Sequence, residues 1–262
     1  MPGASIRAWQ WPNALGLDAA VIAAAWLGVF AAQLRPPEHP GAAAYLVLGL
    51  SVWLTYLADR LFDVNGRPAD ALLSARHRLT KKYSRSLWQV WGLLLAITVL
   101  IAVSSLHPFQ LRAGCFLLVA CLVYSLLNQL WSKHFFPKEI FVAVIFTAGT
   151  QVFLSVPQLN LSLLVFSLLC FMNCLAIAER ERAVDAQLCV HSLAGHLSQR
   201  WLWTLIAGTC ILATLSPLAP ALLPSAAALA LVFYCRDSIP AERYRVLCDG
   251  SLLLGPLFYL LL

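Results

Sequence analysis

The sequence predicts an all-α fold: a polytopic membrane bundle of about nine transmembrane helices. Of its 262 residues, 61% are apolar and only 11% charged, where an ordinary soluble domain carries roughly 25% charged residues. Apolar runs long enough to cross about 30 Å of hydrocarbon recur from near the N-terminus to the last residue. The polar residues between them form connectors that leave no room for a separate soluble domain, so residues 1–262 read as a single domain.

The first run, residues 15–34, has the length of a signal peptide, but Arg35-Pro36-Pro37 follows it in place of a small-residue cleavage site. It therefore reads as an uncleaved span. Further spans are expected at 42–60, 87–106, 112–131, 139–157, 160–179, 201–218, 220–235 and 249–262. Prolines including Pro108, Pro137, Pro157, Pro217, Pro220, Pro224 and Pro240 sit at or near the proposed ends, as helix breakers should. On nine spans, sixteen Lys and Arg fall on one side and two, Arg35 and Arg112, on the other. This asymmetry predicts an integral protein of the cell inner membrane, with a cytoplasmic N-terminus and an external C-terminus. The same placement accounts for the net charge of +6 without nucleic acid. Eight cysteines show no CxxC pair and read as small hydrophobes within apolar runs. Trp9, Trp11, Trp88, Trp131, Trp201 and Trp203 lie near span ends, as an aromatic belt does.

Two acidic stretches carry the candidate chemistry. Asp59 and Asp63 end the second run four residues apart, on one helix face. Glu181 and Asp185 repeat that spacing after the sixth. A carboxylate at the hydrocarbon edge needs a cation, water or metal beside it. Arg60 or simple exposure would satisfy the first pair alone; two pairs at one membrane face predict a shared divalent ion. Magnesium takes oxygen ligands and commonly joins carboxylates to phosphate oxygens, so Mg2+ bound by Asp59, Asp63, Glu181 and Asp185 would suit a diphosphate. Arg76 and Arg78, in a basic connector that positive-inside charge also explains, are candidate phosphate contacts. Lys138 is another, with Glu139 or lipid headgroups as its competing partners. Asn173 lies on roughly the Glu181 side of its helix, although it would equally bond a neighbouring helix. Glu179 lies on a different face and suits Arg182.

In layout the chain resembles the UbiA superfamily of intramembrane prenyltransferases, which have nine helices and aspartate-rich motifs after helices two and six. Against the family's first motif, Asn-Asp-x-x-Asp-x-x-x-Asp, Asp59 falls on the Asn and Asp63 on the second Asp, while Arg60 and Arg67 replace the other two. Asp70 is out of register. Glu181 to Asp185 matches the second motif with one conservative change. Arg180 and Lys138 fall where relatives place basic residues. The resemblance implies a transferase that moves an isoprenyl group from a magnesium-bound isoprenyl diphosphate to a hydrophobic acceptor, aromatic or lipid, within the bilayer. Its catalytic and metal-binding residues would be Asp59, Asp63, Glu181 and Asp185. Arg76, Arg78, Lys138, Asn173 and Arg180 would bind substrate. The incomplete first motif gives the alternative: a non-catalytic membrane protein of the same fold that binds an isoprenoid or other lipid.

Overall fold

The computed structural model describes residues 8–34, 39–68, 72, 74–131, 137–187 and 192–262. Arg35, Pro36, Pro37, Asp70, Lys133, Cys189 and His191 lie outside the described residues. Among the described residues, twelve α-helices run in the order α1 (Trp11–Leu15), α2 (Leu17–Gln33), α3 (Ala42–Asp63), α4 (Ala75–Lys82), α5 (Ser84–Ser105) and α6 (Pro108–Trp131), then α7 (Lys138–Gly149), α8 (Leu161–Arg180), α9 (Arg182–Gln187), α10 (Gln199–Leu215), α11 (Ala219–Tyr234) and α12 (Ala241–Tyr259).

The all-α expectation holds, but the count of nine spans does not. Among the described residues, α3, α5, α6 and α8 are long and apolar enough to cross a membrane. A fifth span exists only if the stretch Ala8–Leu15 is counted with Leu17–Gln33 across a 73° bend. The reason is that apolar composition continues past the residues that end helices. The expected span 139–157 stops at Gly149, and its twelve helical residues reach only about 18 Å at about 1.5 Å per residue. α10 and α11 have 17 and 16 residues, and Pro224 lies inside α11 rather than at its end. The expected span 249–262 belongs to α12, whose first half carries Glu242, Arg243, Arg245 and Asp249. The Lys and Arg asymmetry was counted on nine spans, so it no longer fixes an orientation.

Local signals explain several boundaries. The Asn160 side chain caps α8 by accepting the Leu163 amide at 3.1 Å, and Ser198 does the same for Trp201 at the start of α10. Between α1 and α2, Gly16 takes φ 75°, a left-handed conformation that favours glycine. The bend is held from outside by Arg60, which is buried and donates from Nη1 to the Ala14 carbonyl at 2.5 Å and from Nη2 to that of Asn13 at 2.9 Å. Arg60 therefore caps α1, and it acts on Asp59 only at electrostatic range.

The core centres on α8, more than half buried and packed by α7, α10, α11 and α12. Trp26 of α2 stacks at 4.3 Å on Phe166 of α8, and its indole Nε1–H donates to the Leu252 carbonyl of α12 at 2.9 Å. The α5 and α6 helices are the opposite case. They are strongly apolar yet bury few of their residues, with Leu93, Leu100, Val103, Phe116 and Leu122 facing outward. Faces of this extent are those of a membrane-associated protein. Of the expected belt, Trp9, Trp11, Trp88, Trp131 and Trp201 are exposed, while Trp203 packs against Phe233 at 4.9 Å.

α11 and α12 approach closely at Gly255, whose amide donates to Ser225 Oγ at 2.9 Å. A Cβ at this position would overlap the Ala221 carbonyl oxygen. Gly255→Ala is therefore expected to lower the unfolding midpoint of the detergent-solubilised protein, by an overpacking cost of about 1–3 kcal/mol. An unchanged midpoint in a thermal melt would show that the two helices separate freely.

Candidate functional site

A cavity of about 310 Å³ opens among the helices, lined by one face each of α2, α3, α6, α7, α8 and α12. The face of α3 runs Leu48, Val52, Thr55, Tyr56, Asp59, Asp63, and that of α8 runs Cys170, Asn173, Cys174, Ile177, Glu181. Steps of three and four residues, widened by the adjacent pairs Thr55–Tyr56 and Asn173–Cys174, keep these side chains on one face of each helix. Both faces pass from apolar to charged along their length, so the cavity has an apolar end and an ionic end. Ile22, Leu117, Val142, Ala143 and Phe146 extend the apolar wall.

Seven of the nine site residues expected from the sequence line this cavity: Asp59, Asp63, Arg76, Lys138, Asn173, Glu181 and Asp185. The i,i+4 spacing of Asp59 and Asp63 survives because α3 continues through Asp63. Glu181 instead caps the end of α8, and α9 begins after it; the Asp185 amide donates to the Glu181 carbonyl at 3.0 Å, which keeps both side chains on the cavity. Arg78 and Arg180 do not line it. Arg78 Nη1 donates to the Leu72 carbonyl at 2.8 Å, and Arg180 Nη2 to that of Ile239 at 3.2 Å.

Protein cations meet two of the four expected metal ligands, Glu181 and Asp185, and the imidazole of His77 lies near a third, Asp63. Glu181 Oε2 accepts from Arg76 Nη2 and Arg245 Nη1, each at 2.8 Å. The Lys138 ammonium lies 3.2 Å from Asp185 Oδ1, and His77 Nε2 lies 3.7 Å from Asp63 Oδ2. Asp59 is within electrostatic reach of Asp63, Lys138, Arg60 and Arg76. Glu179 pairs with Arg182 at 3.9 Å, as its helix face predicted. Burial raises the Asp185 carboxyl above its usual range, and Lys138 works against that shift. For Lys138, burial disfavours the charge, but Asp185 and Glu139 more than offset it and its pKa is raised.

Deeper in the cavity is a polar network that the sequence reading did not assemble. Asn13 Nδ2 donates to Asp18 Oδ2 at 2.5 Å and to Asp249 Oδ2 at 2.7 Å, and Asn173 Nδ2 donates to Asp249 Oδ1 at 2.9 Å. Asn173 thus bonds a neighbouring helix, the competing reading of its position. Arg245 read as ordinary connector charge. Its i,i+4 relation to Asp249, with Nε 4.0 Å from Oδ2, is the one local signal that ties it to a polar group.

This arrangement does not fit magnesium. Among the described residues, no group of three or more His, Cys, Asp or Glu side chains is placed to hold a metal ion. The physical reason is that Glu181 and Asp185 each turn to a protein cation, while Asp63 lies beside the His77 imidazole. The expected Mg2+ is corrected on this ground. The transferase and UbiA assignment loses the metal-bridged aspartate motifs on which it was built. No family model, curated protein or solved structure matches the chain.

Millimolar magnesium, or its removal by EDTA, is expected to leave the unfolding midpoint of the purified protein unchanged. An ion at a hundredfold its Kd would stabilise by about 2.7 kcal/mol, so a midpoint that rises with magnesium and falls with EDTA would contradict this site.

Proposed function

We propose that the protein binds a lipid of isoprenoid type in the central cavity, with the chain along the apolar wall and the polar head at the ionic end. The observation that carries this reading is the polarity gradient within one cavity: α3 and α8 both run from apolar side chains to carboxylates over successive turns. A water-soluble ligand would gain nothing from the apolar end, and a plain hydrocarbon would leave the ionic end unused. The exposed apolar faces of α5 and α6 agree with delivery of such a ligand from a bilayer. The reading is of binding, not of group transfer, because the carboxylates are engaged by Arg76, Arg245 and Lys138. Placement in the cell inner membrane with a cytoplasmic N-terminus belongs to the same proposal.

Photoreactive isoprenoid probes bearing either an alcohol or a diphosphate head test it. In lipid nanodiscs, at least one should label the protein saturably, with adducts mapped by mass spectrometry to cavity residues such as Val142, Phe146 and Leu117. Val142→Trp, which fills the apolar end, should abolish that labelling while the thermal melt stays cooperative. Adducts confined to the outward faces of α5 and α6, for both probes, would sink the proposal. Diphosphate release from the second probe would show group transfer in place of binding alone.

A further inference from the structure

The unused hydrogen-bonding groups of the cavity say what kind of head group it takes, and this inference rests on the lipid-binding reading above. Glu139 is only 2% exposed; its Oε1 accepts the Leu193 amide at 3.1 Å, while Oε2 is buried with no hydrogen-bond partner among the described residues. Asn173, 6% exposed, donates to Asp249 but leaves Oδ1 without a hydrogen-bond partner among the described residues, and Asp185 Oδ2 is in the same condition. All three residues line the cavity. A buried acceptor left unsatisfied costs the desolvation of that group, and such groups recur where a ligand completes the bonding. Asn128, which also lines the cavity, adds a fourth in its Oδ1, and four in one cavity point to a ligand that donates.

The same wall also holds donors without a hydrogen-bond partner among the described residues: Arg76 Nε and Nη1, and Arg245 Nε. An ammonium head only donates and leaves these unmet, whereas a phosphate head only accepts and leaves the carboxylates unmet. A phosphate also adds negative charge where seven carboxyl side chains already face four Lys and Arg, and like charges repel strongly in a site of low dielectric. A hydroxyl donates and accepts at one uncharged atom.

We infer that the cavity selects an uncharged, hydroxyl-bearing head: the ligand class is a long-chain or isoprenoid alcohol, held at Glu139, Asn173 and Asp185 with the arginines on its oxygen.

The test is competition against the cavity photolabel in nanodiscs by three compounds with one chain: farnesol, farnesylamine and farnesyl diphosphate. Farnesol is expected to compete best. Glu139→Gln, which keeps an acceptor for the Leu193 amide but presents an amide donor to the head, should weaken farnesol roughly tenfold and leave farnesyl diphosphate unweakened. Tighter binding by the diphosphate or the amine overturns the hydroxyl assignment while the lipid-binding reading stands. If Glu139→Gln weakens all three compounds equally, the assignment of Glu139 to the head falls. Failure of every compound, with no cavity labelling by any probe, removes the lipid-binding reading itself and the inference with it.

Discussion

The arrangement depends on Glu181 and the two guanidiniums that hold it. This residue ends α8, the most buried of the apolar helices, and its carboxylate is gripped from one side by Arg76 of α4 and from the other by Arg245 of α12. Elements separated by 105 and 64 residues in the chain are thereby joined at the ionic end of the cavity. All three side chains are at least four-fifths buried, so none can give up its partner without exposing an uncompensated charge to a poorly solvated site. The connector carrying Arg76 is fixed across the bundle by electrostatics, not by apolar packing, since α4 buries little besides His77 and Thr80.

Once Glu181 is committed in this way, the neighbouring groups sort themselves. Arg60, near Asp59 only at electrostatic range, satisfies two carbonyls at the end of α1, where orphan acceptors need donors. Lys138, at the start of α7, takes Asp185. Asp249 turns from the mouth toward Asn13 and Asn173 and joins α12 to α1 and α8. Every one of these contacts crosses between elements, and together they keep an ionic end open beside an apolar one. The cavity is the space that this compensation leaves.

Much of the site was legible in the sequence because helical spacing is a local property. Asp59 with Asp63, and Asn173 with Glu181, share faces by arithmetic alone, and both faces meet in one cavity. What no local pattern could supply was the identity of the partners. A carboxylate beside an apolar run signals need for a cation, but whether a metal, Arg76 or Arg245 answers it depends on contacts far apart in the chain. The helix count failed for a different reason. Hydropathy measures which residues avoid water, whereas Gly149 and the turns beyond it end α7. Apolar irregular segments therefore look like parts of spans. The charged first half of α12 looks like connector, which hides Arg245 and the helix continuing through Asp249.

Protein cations, and Arg245 in particular, neutralise Glu181 at the ionic end of the cavity. A double-mutant cycle of Glu181→Gln and Arg245→Gln, read by equilibrium unfolding of the detergent-solubilised protein, tests it most directly. The two substitutions should couple, with the double variant less destabilised than the sum of the singles by an amount within the range of about 0.5–3 kcal/mol seen for residues in contact. Strict additivity would mean that Glu181 and Arg245 do not compensate one another, and would contradict the account.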